Sequence, residues 1–170
     1  LDEYRRRHTD WPLHARVMTL RQVADALAAI HRHGITLRGL SPSSIMILPD
    51  GNAKLVDFHF AHVATSELTQ TGDMPGIPEY MAPENFMLRA IDPRADIFSL
   101  GCLMYELLLN RKPFLDSTVP GLLQQIREAK PTRPAKVAPD IPHQLEDLMA
   151  RMLRKKPASR YHSMTQVVTD

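Results

Sequence analysis

Between Ala95 and Leu108 the chain reads ADIFSLGCLMYELL, and Ile97, Leu100, Gly101, Met104, Leu107 and Leu108 recur along it at helical spacing. Most of the interposed residues are apolar too, which predicts a helix buried on most sides, the hub of a core. The rest of the chain must then supply amphipathic elements to surround it. Asp96 is a carboxylate at the start of this otherwise oily segment.

The flanking sequence carries such elements. From Arg16 to His33, Val17, Leu20, Val23, Leu27 and Ile30 share one helical face, and Gly34 follows where a left-handed cap is wanted. Further helices are expected around Leu122, Leu123 and Ile126, and around Leu145, Leu148, Met149, Met152 and Leu153, with a proline-rich connection between Lys130 and Pro142. A last helix starts from Ser163 as its N-cap. The methionines at these positions read as core filler. Ile45 to Leu48 and Lys54 to Val56 flank Pro49-Asp50-Gly51-Asn52, whose Asp-Gly pair tolerates positive φ, so a small β-hairpin is predicted. Glycines and prolines between Asp57 and Met81 predict a long loop of the functional kind.

Composition narrows the function classes. A chain of 170 residues suits one domain with a sizeable core, and 44% hydrophobic with 24% charged residues is ordinary globular usage. A net charge of +2 is too small to argue for nucleic acid, and the basic run Arg5 to Arg7 reads as a solvated helix face. No apolar run reaches the roughly 18 residues needed to cross a bilayer. The single cysteine, Cys102, lies in the apolar helix, reads as an inert buried thiol and fits a reducing, cytoplasmic compartment.

Four segments in order carry a resemblance: LRGLSPSSIMI from Leu37 to Ile47, LVDFHFA from Leu55 to Ala61, GIPEYMAPE from Gly76 to Glu84, and the apolar helix with Asp96 at its start. Together they resemble the catalytic loop, Asp-Phe-Gly segment, Ala-Pro-Glu segment and central helix of the eukaryotic-type (Hanks-type) serine/threonine protein kinase family. The resemblance spans all 170 residues and implies a mainly α fold. The expected architecture is a protein-kinase-like C-lobe, a helical bundle around a central buried helix with a small β-hairpin at the former active site. LDEY at the start resembles the first turn after the family's hinge, so residues 1–170 are expected to be the C-lobe of a partial domain, with the small lobe outside this chain.

The resemblance also assigns roles. It implies a buried ion pair between Glu84 and Arg160, a loop held by Asp96 and containing Arg38, a metal-ligand position at Asp57, and an adenine floor at Met46. Thr65, Ser66, Thr69 and Thr71 lie in the matching activation loop, where Thr69 and Thr71 are candidate phosphosites for pairing with Arg38. Three chemical positions differ from the family pattern: Gly39 stands for the catalytic aspartate, Ser41 for the lysine and Ser44 for the metal-binding asparagine. Ile77 replaces the threonine of the substrate-facing loop, and His59 the glycine of Asp-Phe-Gly.

Phosphoryl transfer depends on positioning and charge stabilisation, and a positioned base alone contributes about 10²–10⁴ in rate. The expectation is therefore a pseudokinase binding or allosteric module, not an enzyme as the chain stands. No cofactor is expected, although the family uses ATP and Mg²⁺; a protein partner is expected, with no nucleic acid and no membrane contact. The helix around Leu122 to Ile126 and the loop from Thr65 to Pro78 are the expected place for a binding surface, with local packing of their apolar residues as the equal alternative. The alternatives are residual or unorthodox kinase activity in a longer gene product, with Asp57 holding a metal, and a non-functional kinase remnant.

Overall fold

Every residue from Ala95 to Leu109 is buried in the central helix, α3 (Arg94–Leu109), of the computed structural model, which describes residues 1–56, 62–63, 77–86 and 92–170. Its apolar surface is covered on several sides, as its composition requires. The other helices are α1 (Asp2–Arg7), α2 (Leu13–Arg32), α4 (Val119–Glu128), α5 (Pro134–Val137), α6 (His143–Met152) and α7 (Met164–Thr169). The architecture is mainly α.

α2 packs along α3 and α7, and α6 packs against α3. The α3–α6 crossing is close because position 101 has no side chain: a Cβ on Gly101 would lie 2.9 Å from Met152 Cβ and 3.1 Å from Leu153 Cδ2. Leu27, Ile97, Phe98, Cys102, Phe114, Ile126 and Met152 are fully buried within one continuous core. Gly34 ends α2 at φ +71, the left-handed cap that its position predicts. Ser163 caps α7, its hydroxyl accepting from Gln166 N at 3.4 Å.

The hairpin forms between β2 (Ile45–Ile47) and β3 (Ala53–Leu55), with Met46 opposite Lys54. Its turn closes as the local chemistry dictates: Gly51 takes φ +84, Asp50 accepts from Asn52 N at 3.0 Å, and Leu48 N donates to Asn52 O at 2.8 Å. Gln22 on α2 fastens the hairpin by accepting from Ala53 N at 2.6 Å and donating to Asn52 Oδ1 at 2.8 Å.

Three details depart from the sequence expectation. A second two-stranded antiparallel pair joins β1 (Ile35–Thr36) to β4 (His62–Val63), placing a strand inside the stretch expected to be all loop. The proline-rich connection contains the short α5, entered at Pro134, where a fixed φ suits a first helical turn. The Arg5 to Arg7 run is only partly a solvated face, because Arg5 reaches Glu106 of α3 at 3.2 Å while Arg7 pairs with Glu3 in water.

No helix among the described residues is long and apolar enough to cross a membrane.

Candidate functional site

The segment from Thr36 to Ile47 is shaped from below by α3. Asp96 is fully buried, and its carboxylate accepts from Leu37 N (2.8 Å), Arg38 N (2.9 Å) and the ring of His31 (Nε2, 2.8 Å). Two consecutive backbone N–H groups converge on one carboxylate because Arg38 sits in the left-handed region at φ 61, a conformation a non-glycine residue keeps only when its surroundings hold it there. His31, in the last turn of α2, couples that helix to the same carboxylate; its Nδ1 is buried with no partner. Burial holds the Arg38 guanidinium below its ordinary pKa, with the Asp96 charge opposing that shift, and its Nε has no hydrogen-bond partner.

Downstream the loop closes on itself. Ser41 and Ser44 are buried. Ser41 Oγ lies 2.8 Å from Ser43 Oγ and 3.4 Å from Ser44 Oγ, and Ser44 Oγ donates to Gly39 O at 3.0 Å. Val56 N donates to Ser44 O at 2.9 Å, which ties the strand end before Asp57 to this turn. Gly39, Ser41 and Ser44 are thus brought together, yet they offer hydroxyls engaged with one another and a carbonyl, with neither a cation nor a carboxylate.

That donor set does not fit Mg²⁺, which wants carboxylate oxygens in near-octahedral geometry. Among the described residues no group of three His, Cys, Asp or Glu side chains could hold a metal ion. Met46 is half-exposed on the hairpin. Asp57, Thr69 and Thr71 lie outside the described residues, as do His59 and the loop 65–76.

The Glu84–Arg160 pair is buried and fully hydrogen-bonded on the arginine side. Arg160 meets Glu84 through two parallel bonds, Nη1 to Oε1 at 2.6 Å and Nη2 to Oε2 at 2.9 Å. Its remaining N–H groups go to the carbonyls of Arg154 (2.7 Å), Arg94 (2.9 Å) and Lys155 (3.0 Å), so all five donors of a buried guanidinium are used.

Nearby groups of comparable structural weight were not singled out from the sequence. Glu106 on α3 accepts from Tyr80 Oη and from Arg5, joining the 77–86 segment and α1 to the hub; burial and this bond raise the Tyr80 phenol above its ordinary pKa. Lys155 donates to Ile126 O (2.5 Å) and Gln125 O (3.2 Å) at the end of α4 and lies over the Phe114 ring at 3.7 Å; burial pulls its pKa down to about 8. The carboxylate and hydroxyl of Glu106 and Tyr80 lie 26 residues apart, so no local pattern links them. His31 was not singled out either, although a histidine in the last turn before the Gly34 cap is a local signal.

Of the two readings of the Leu122 to Ile126 stretch, local packing describes its two buried apolar residues. Leu122 and Ile126 are buried in the core, because the apolar stripe of α4 faces inward. The large apolar side chains left exposed in this region are Leu115, Val119 and Ile77.

A helical hub whose first-turn carboxylate holds an adjoining loop, with a buried Glu–Arg pair fastened to the carbonyl of Arg94 in that same turn, defines a protein-kinase-like helical lobe. The chain belongs to the protein kinase domain family, which matches residues 1–170. It is 41% identical over 154 residues to serine/threonine-protein kinase Pkn1 of Myxococcus xanthus, covering 87% of this chain and 22% of that protein. It is 38% identical over 151 residues to PknL of Mycobacterium tuberculosis (88% and 38% covered) and 34% identical over 170 residues to PknB of Mycolicibacterium smegmatis (96% and 27% covered). The chain thus spans well under half the length of these relatives.

Proposed function

We propose that this chain corresponds to the large lobe of a catalytically degenerate kinase domain, and that it works in the cytoplasm as a protein-binding or allosteric module without phosphotransfer. The observation that carries this reading is the inward closure of the loop. Where the family motif places a base, a lysine and a metal-binding asparagine, this chain has Gly39, Ser41 and Ser44; the Ser41 hydroxyl bonds to those of Ser43 and Ser44, and Ser44 donates to Gly39 O. Nothing in that turn accepts a substrate proton or neutralises a transferring phosphoryl group, the two tasks of a kinase loop.

The frame that would position such groups is nevertheless kept, by Asp96 under Leu37 and Arg38 and by Arg160 around Glu84. A retained scaffold supports a binding role over simple decay, because relaxed sequence drift would strike buried charges as readily as surface ones, and each loss there is costly.

The decisive experiment uses the full-length gene product with Mg·ATP and a generic protein substrate. No transfer above the no-enzyme control is expected, and for the 170-residue chain by itself no thermal shift of several degrees on adding Mg·ATP. Transfer that disappears on Asp57→Asn would replace this reading with an active kinase using Asp57 as metal ligand. Non-cooperative thermal unfolding would point instead to a remnant without function.

A further inference from the structure

The end of α1, the turn after it, the start of α2 and the residue closing α3 surround an open cavity of about 310 Å³, separate from the 36–47 loop. It is lined by Arg5, Arg6, His8, Thr9, Trp11, Arg16 and Asn110: three guanidinium groups and no carboxylate. Arg5 is compensated from outside the cavity, by Glu106 at 3.2 Å and Asp2 at 4.0 Å. Arg6 and Arg16 have no such partner among the described residues.

Arg16 is held in place without being neutralised. Its Nη1 donates to Leu107 O (3.1 Å) and Leu108 O (3.5 Å), among the last carbonyls of α3, and its Nε is buried with no acceptor. Asn110, left-handed at φ 53, ends that helix at the cavity edge. His8 stacks on Tyr4 with ring centroids 3.9 Å apart and donates from Nδ1 to Tyr4 O at 2.9 Å. Trp11, held edge-on to Tyr4 at 4.9 Å, forms a rigid wall.

The chemistry that completes this site is a dianion. Guanidinium groups meet phosphate oxygens through paired, charge-assisted hydrogen bonds, and a phosphate monoester carries about −1.5 to −2 charges near neutral pH. Two uncompensated arginines match that charge, whereas a single carboxylate would leave one of them unpaired. The volume lies at the low end of the roughly 300–1,000 Å³ of ligand pockets, enough for a phosphoryl group and the stem that bears it. We propose that this cavity binds a phosphate monoester, with Arg6 and Arg16 as its charge partners and Thr9 and Asn110 as neutral donors.

The test titrates the full-length protein by calorimetry with inorganic phosphate, glycerol phosphate, and a phosphothreonine peptide beside its unphosphorylated twin. Saturable binding of inorganic phosphate is expected, weakened about tenfold by Arg6→Gln and by Arg16→Gln and reduced at high salt. Because Arg16 also caps α3, Arg6→Gln and Thr9→Val, both on exposed residues, supply the readout if Arg16→Gln unfolds. Competition by inorganic phosphate against the phosphopeptide assigns the source to a protein side chain; tighter binding of glycerol phosphate assigns it to a small molecule. The proposal is overturned if no soluble monoester binds saturably, if Arg6→Gln and Thr9→Val leave phosphate binding unchanged, or if only vesicles containing phosphatidylserine bind.

Discussion

Arg160 surrounds Glu84 with two parallel hydrogen bonds and spends its other three donors on backbone carbonyls, so neither residue can be altered without stranding the other. Glu84→Gln and Arg160→Met are each expected to lower unfolding free energy by about 3–5 kcal/mol, because each leaves a buried charge or its donors uncompensated. The double variant Glu84→Gln/Arg160→Met should lose less than the sum of the two single losses. Urea denaturation of the three variants checks this, and additive losses would mean the pair is not coupled.

Asp96 performs a different job, since two of its three donors are backbone N–H groups of the candidate loop. Asp96→Ala leaves those donors buried and unpaired and removes what holds Arg38 in its left-handed conformation. A destabilisation of more than about 3 kcal/mol is expected, at about 1–3 kcal/mol per stranded group. Hydrogen exchange at Leu37 and Arg38 should accelerate more than exchange in α6. Uniform acceleration across the lobe would show that the carboxylate does not act locally.

Gly101→Ala tests the crossing of α3 and α6. Alanine improves helix propensity by about 1 kcal/mol, but its Cβ would meet Met152 Cβ at 2.9 Å, a backbone-proximal atom that cannot swing aside. Overpacking at about 1–3 kcal/mol should therefore prevail. Thermal unfolding is expected at lower temperature than in the parent chain, and a rise in Tm would show that the helices separate freely.

Lys155 gives a pH signature. Its pKa falls from 10.5 to about 8 on folding, mainly through burial, with Arg160 adding to the effect. Between about pH 8 and 10.5 the unfolded chain holds the proton that the folded chain has released, so this lysine's contribution to stability rises with pH. Cys102 acts in the opposite sense: burial pushes its thiol up, the unfolded chain ionises first near 9, and stability is lost above that point. Because Lys155 and Cys102 shift each other, the clean quantity is the stability of Cys102→Ala minus that of Cys102→Ala/Lys155→Met, from which the thiol is absent. That difference should grow from pH 7.5 to 10; a flat profile would mean Lys155 titrates normally.

Much of the frame was legible because it rests on local rules. The α3 hub, the long α2 with its Gly34 cap, the hairpin at Gly51 and the Ser163 cap each follow from periodicity or turn chemistry within a few residues. The β1–β4 pair was not legible, because two-residue strands have no periodicity and depend on partners 26 and 28 positions along the chain. The burial of Leu122 and Ile126 was open for a related reason: an amphipathic stripe reveals one apolar face, and the neighbouring elements decide whether that face meets core or solvent.

The sequence by itself determined which residues occupy the loop positions: Gly39, Ser41 and Ser44, with no charge among them. Only the tertiary structure decided where those hydroxyls turn, because their bonds to one another and to Gly39 O depend on a backbone held from beneath by Asp96, more than fifty residues away. It also decided which arginines are neutralised. Arg5 and Arg6 are adjacent and alike in sequence, but helical geometry turns one towards Glu106 and leaves the other on the wall of an uncompensated cavity.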